Sequence, residues 1–219
     1  MEKRKVIFGT YDTAQKGAWT VAGLELSSPD QQTNLVFLPG RSGPIDLSTA
    51  LTGEPVYNSR QLTVVLENSD GDRAYREQLI RTIIAELDGL QKQIWLPDNP
   101  GYYLQGRIRV VRNYNDLAHA AVTVTATCDP WLYSNTETTV SLTAASSSKT
   151  ATLVNNGRKG LIPSFKMTGS VSIKFNNTTW NLTAGTTRLV DLVLAPGSNT
   201  ITYSGSGTIQ VTYREAVLL

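Results

Sequence analysis

Between residues 73 and 88 the apolar positions fall at Leu79, Ile80, Ile83, Ile84 and Leu87, spaced i, i+1, i+4, i+5, i+8. That is one stripe at the helical period, with Arg76, Glu77, Arg81, Glu86 and Asp88 on other faces. The spacing predicts a helix over about 72–89. Ser69, Asp70 or Asp72 can cap its start, and an acid there suits the helix dipole. Gly89 sits where a left-handed C-cap belongs. A stripe of this kind packs a core and carries no chemistry of its own.

Elsewhere the period is two. In "AAVTVTATC", Ala120, Val122, Val124, Ala126 and Cys128 share one face and Thr123, Thr125 and Thr127 the other, which predicts a half-buried strand. "QLTVVLE" and "TNLVFL" read the same way. Further on, Val171, Ile173 and Phe175 alternate with polar residues, then Trp180 and Leu182, Ile201 and Tyr203, and Ile209, Val211 and Tyr213. Turn signals such as Gly169, Asn176-Asn177, Gly185 and Pro196-Gly197 recur about every ten residues, the spacing of a small antiparallel sandwich.

The stretch "LPDNPGYYLQGR" (96–107) lies between an expected strand at Ile94-Trp95-Leu96 and another in "YLQGRIRVV". Pro97 suits the i+1 corner of a type I turn, and Pro100-Gly101 fits i+1 and i+2 of a type II turn. The stretch therefore reads as a hairpin tip. Tyr102 and Tyr103 open the returning strand on opposite faces, so they form no joint aromatic platform. On the same strand Arg107 and Arg109 share a face.

Charge divides the 219-residue chain. Residues 1–133 carry 13 basic and 15 acidic side chains, whereas residues 134–219 carry 7 basic and 3 acidic. At the change lies "SNTETTVSLTAASSSKT", in which ten of seventeen residues are Ser or Thr. Val140 and Leu142 alternate within it, so part of this joint reads as strand. The expected organisation is mainly β, with residues 1–135 forming a β-rich domain with one helix and residues 136–219 an antiparallel β-sandwich.

The overall net charge of +2 is too small to indicate nucleic acid or an anionic membrane as partner. The basic "MEKRK" start leads into no apolar h-region, and no run of ~18 apolar residues occurs, so neither a secretory signal nor a spanning segment is expected. With a single cysteine, Cys128, no internal disulfide or cysteine zinc site can form. The pattern is that of a protein made in a reducing compartment. His119 is the sole histidine. As ends of one predicted strand, His119 and Cys128 stand roughly 30 Å apart, too far for a Cys-His pair. No P-loop, HExxH, GxGxxG, GxSxG or complete EF-hand loop occurs; Asp70 and Asp72 in "SDGDRAYRE" read as helix caps rather than calcium ligands. No enzyme, metal or cofactor is expected. The loop "LPGRSGPIDLSTALTG" (38–53) presents Arg41 between Gly40 and Gly43, and reads either as an ordered surface loop or as a docking loop.

Taken in order, "FGTYDT" (8–13), "LELSSPDQQTNLVFLPGRSGPIDLSTALTG" (24–53), the helix, "LPDNPGYYLQGR", "TATCDPW" (125–131) and "YREAVLL" (213–219) resemble the distal tail protein (Dit) family of long-tailed, non-contractile phages. "NNGRKGLIPSFKMTGSVSIKF" with "SGSGTIQVTYRE" is similar to the C-terminal sandwich of that family. The resemblance implies a ring-forming N-terminal β domain with one helix and a peripheral galectin-like sandwich. It also implies a hexameric homo-oligomer at the distal end of the phage tail. There the ring would join the tail tube protein to baseplate, tail-associated or receptor-binding proteins, and let DNA pass. Such a protein is a virion component synthesised in the host cytoplasm, with no sequence-specific nucleic acid binding and no membrane insertion. Arg41, Arg107 and Arg109 are the expected assembly residues. The C-terminal half has no room for the extra carbohydrate-binding insertion of some relatives, which counts against direct host binding. A carbohydrate-binding β-sandwich module, suggested by the β patterning and Trp180, is the competing reading.

Overall fold

The computed structural model describes residues 4–50, 52–113 and 119–218. Residues 1–3 of the basic start and Leu51 of the 38–53 loop lie outside them. The chain forms two compact units, Met1–Leu132 and Tyr133–Leu219.

In the first unit, β1 (Ile7–Phe8), β2 (Tyr11–Asp12), β3 (Thr20–Leu26), β4 (Leu35–Val36), β5 (Ile45–Asp46) and β6 (Arg60–Asn68) precede α1 (Arg73–Leu87). Then come β7 (Gln91–Trp95), β8 (Tyr102–Arg112) and β9 (Ala120–Cys128). Seven of these strands run in the order β2-β1-β7-β8-β9-β6-β3 within a nine-stranded sheet, while β4 and β5 pair only with each other. Register aligns the apolar alternation of the three central strands: Ile108, Ala126 and Leu62 form one cross-strand row, and Val110, Val124 and Val64 the next. These side chains are buried, and α1 packs on β8 and β9.

The helix begins where the sequence predicts. Asp72 is the N-cap, its carboxylate accepting the Tyr75 N–H at 2.8 Å. Ile80, Ile83 and Leu87 are its buried stripe, with Leu79 and Ile84 on the flanks. Gly89 takes φ +74°, the left-handed turn that ends the helix. At the far end of the sheet a buried polar relay holds the first hairpin: the Trp19 indole N–H donates to the Tyr11 hydroxyl at 2.9 Å, which donates to the Lys16 carbonyl at 2.9 Å.

Two local expectations need correction. "TNLVFL" supplies only the two-residue strand β4, because its one partner is the equally short β5. Phe37 and Leu38 continue past it into solvent. At the hairpin tip, Asn99 N–H bonds to Leu96 O and Tyr102 N–H to Asn99 O, so both turns close as the prolines suggest. Gly101, however, does not take the positive φ that position i+2 of a type II turn needs. Proline at i+1 suits types I and II equally, so the glycine beside it decides nothing.

The second unit contains β11 (Thr138–Thr143), β12 (Lys149–Asn155), β13 (Ser164–Met167), β14 (Val171–Phe175) and β15 (Thr178–Leu182). It continues with β16 (Gly185–Arg188), β17 (Gly197–Gly205) and β18 (Thr208–Tyr213). Its end strand β19 (Ala216–Val217) pairs with β10 (Leu132–Ser134). Two four-stranded sheets, β11-β18-β13-β16 and β12-β17-β14-β15, enclose one core. Ile173, Ile201, Ile209 and Val211 are buried there, at the alternating positions the sequence marks, and Phe165 of β13 joins them. The β14–β15 hairpin turns on Asn176, at φ +51°, a conformation asparagine tolerates better than most residues.

Candidate assembly surfaces

The two side chains that the sequence singles out for chemistry, Cys128 and His119, lie at opposite ends of β9. Cys128 is buried at the end of β9, and that burial pushes its thiol up to about 12 against the pull of the nearby Arg60 guanidinium. Such a thiol stays protonated and is a poor nucleophile. His119 precedes the other end of the same strand. Among the described residues no three His, Cys, Asp or Glu side chains converge as metal ligands, and no helix is long and apolar enough to cross a membrane.

A concavity of the first unit lies along β8. Strand β7 pairs with β8 only as far as Gln91↔Arg107. Beyond it the C-terminal end of α1 takes over: Gly89 N–H donates to Ile108 O at 2.9 Å and Ile108 N–H to Leu90 O at 2.9 Å. The Asp88 carboxylate then accepts the Val110 N–H at 2.8 Å. A side chain thus satisfies an edge that a strand would otherwise pair, a common way to blunt a sheet edge. The resulting open groove has a volume of about 990 Å³ and includes Ile84, Asp88, Arg107, Arg109, Val111 and Arg112 in its lining.

Its charges differ in what holds them. Arg107 donates to the carbonyl of Gly89, just past the helix end, at 2.7 Å. Arg112 grips Glu77 of α1 through both carboxylate oxygens, one at 2.7 Å. That pairing, with Arg73 and Arg81 nearby, holds the Glu77 carboxyl below the usual carboxylate range. Arg109 is exposed, and no hydrogen bond or ion pair engages its guanidinium among the described residues. The structure therefore places the expected pair Arg107 and Arg109 side by side in one groove.

Arg41 lies elsewhere, on the loop joining β4 and β5. Gly40 and Gly43, both at positive φ, flank it, and a Cβ on either would meet nothing within 4 Å. Residues 37–44 are exposed, which suits an ordered surface loop and a docking loop alike. Beside it Phe37 is 75% exposed, Leu38 48% and Leu35 46%. Sequence patterning missed this apolar cluster, because alternation looks the same whether or not a sheet covers it. A smaller pocket of about 460 Å³ sits at the hairpin tip, walled by Ile7, Trp95, Leu96, Pro97 and Pro100. The Arg4–Asp98 pair at 3.0 Å lies at its rim.

No protein-family model matches the chain, and no curated protein is similar to it in sequence. Among solved structures it is similar to the crystal structure of the Dit protein (gp 19.1) of phage SPP1, described as a paradigm of hub adsorption apparatus in phages infecting Gram-positive bacteria. The TM-score is 0.73 at 15% identity, over 99% of this chain and 100% of that one. The Cnp3 cupin domain of Schizosaccharomyces pombe also aligns, at a TM-score of 0.23 and 13% identity over 58% of this chain and 85% of that domain, too low to support an argument. This chain has, over nearly its whole length, the fold of the SPP1 Dit protein.

Proposed function

We propose that this chain is the structural hub of a phage tail tip. In this reading six copies close into a ring that joins the tail tube to baseplate or tail-associated proteins and lets DNA pass. The observation that carries it is the end-to-end correspondence with SPP1 Dit, in which neither chain has a domain the other lacks. The surfaces of the first unit agree with assembly. It has an open groove with an uncommitted Arg109 and, on another element, an exposed apolar cluster beside Arg41. Two different surfaces of one subunit can make the head-to-tail contacts from which rings are built. Hub duty needs no active site, so the reading assigns no enzymatic role. The carbohydrate module has less support, since Trp180 packs against the sandwich core and forms no exposed platform.

The test is native mass spectrometry of the purified protein together with microscopy of assembled tails. A cyclic hexamer is expected in at least the tails, and a chain that is monomeric in both would overturn the proposal. Arg109→Glu, at an exposed site, is expected to change stability by no more than about 0.5 kcal/mol while weakening the ring. An unaffected ring would remove Arg109 from the interface.

A further inference from the structure

The outer face of the β11-β18-β13-β16 sheet presents two aligned rows of polar side chains. Register across the four strands aligns Thr139, Thr212, Ser164 and Arg188 in one row. The next outward row is Ser141, Gln210, Lys166 and Thr186. The row between them, with Val140, Val211 and Phe165, points into the core. A groove of about 420 Å³ runs over Ser164, Arg188, Lys166, Thr186, Gln210 and Thr212 of these rows, with Ile162 and Tyr213 also in its lining. The two rows contain two cations, an amide and five hydroxyls, with neither a carboxylate nor an apolar side chain. The acid at the rim, Glu137, is taken by Arg214 at 3.0 Å. Among the described residues no hydrogen bond or ion pair engages the Lys166 ammonium, and Arg188 spends one N–H on the Ile162 carbonyl at 3.3 Å. Their positive charge is left for a ligand to neutralise.

We propose that this face binds an anionic polyhydroxylated polymer, its oxyanions on Lys166 and Arg188 and its hydroxyls on the serine, threonine and glutamine side chains between them. Arg188 lies opposite Ser164, two residues from Lys166, so the cations occupy diagonal positions whose backbones are roughly 7–8 Å apart. Two anionic groups of one chain can be held at once. An ammonium and a guanidinium make charge-assisted bonds to phosphate or carboxylate alike, so the shared chemistry is an oxyanion on a hydroxylated chain. A protein partner fits less well, because interface cores are rich in aromatic and apolar groups and poor in lysine and serine. A single nucleic acid strand would require aromatic stacking platforms, and these rows have none.

The full-length protein should be titrated by calorimetry with a glycerol phosphate oligomer, a galacturonate oligomer, neutral dextran and polyglutamate. Binding to at least one of the two anionic polyols is expected, together with weakening as salt rises and no binding to dextran. The polymer that binds identifies phosphate or carboxylate as the recognised group. Lys166→Glu and Arg188→Glu should each weaken binding by about tenfold or more. Lys174→Glu, on the outer face of the other sheet, should leave it unchanged, with all three variants keeping the parent melting temperature. The proposal is overturned if neither polyol binds, if K174E weakens binding as much as K166E, or if polyglutamate binds as tightly as the polyols. Ring formation is a separate readout, so the hub proposal can stand or fall on its own.

Discussion

The buried thiol of Cys128 ties a single side chain to the pH dependence of the whole first unit. An unfolded thiol gives up its proton near its ordinary pKa of 9, whereas the folded one, desolvated on β9, holds it to about 12. Between those values the unfolded state binds fewer protons, so stability falls as pH rises, by at most about 1.4 kcal/mol per pH unit from this group. Below pH 9 the contribution is complete. Cys128→Ala removes it, at a packing cost of about 1–3 kcal/mol. Denaturant titrations of both proteins at pH 8 and pH 11 isolate the effect, because Tyr11 and Tyr213, whose hydroxyls burial also raises, are common to both. The deficit of the variant is expected to shrink at pH 11 by on the order of 2 kcal/mol. Parallel behaviour at the two pH values would mean that the thiol titrates in the folded protein as it does in water.

At the scale of elements, α1 is the one helix on which the first unit's core depends. Ile83 is fully buried at the centre of its stripe, against β8 and β9. Ile83→Asp would bury an unpaired carboxylate and is expected to destabilise the unit by more than 3 kcal/mol. An unchanged melting temperature would show that the stripe packs on nothing. This element was legible in the sequence because every signal for it is local: the i, i+3, i+7 spacing of Ile80, Ile83 and Leu87, the Asp72 cap and Gly89. The strands with long partners were legible for the same reason, alternation being a property of the strand itself. What escaped was set by contacts between distant residues. Nothing in "TNLVFL" says that only β5 will pair with it. Nothing around Val110 says that its N–H will meet Asp88 twenty-two positions earlier rather than a strand. The pairing of Arg107 with Arg109 could be read from alternation, but the groove that contains them could not.

For the molecule as a whole, a fold shared with SPP1 Dit at 15% identity means that patterning survives where individual residues do not. In the second unit that patterning gathers one core. Leu153, Phe165, Ile173, Ile201 and Val211 are all buried, and the cluster they belong to draws only on residues from 140 onward. Internal polar bonds complete it: Asn155 donates to the Lys159 and Leu194 carbonyls at 2.8 and 3.0 Å, and Tyr213 to the Val154 carbonyl at 2.8 Å. We therefore expect residues 133–219 to fold alone as a monomeric sandwich, while residues 1–132 keep the capacity to assemble. A chain this short buries a modest share of its surface, so its stability should lie toward the low end of about 5–15 kcal/mol. Expressing the two fragments separately and recording amide dispersion by NMR tests this. Dispersed, native-like resonances from 133–219 alone are the expected result. If that fragment is unfolded by itself but becomes structured when mixed with 1–132, the sandwich depends on the first unit and its core is not self-sufficient.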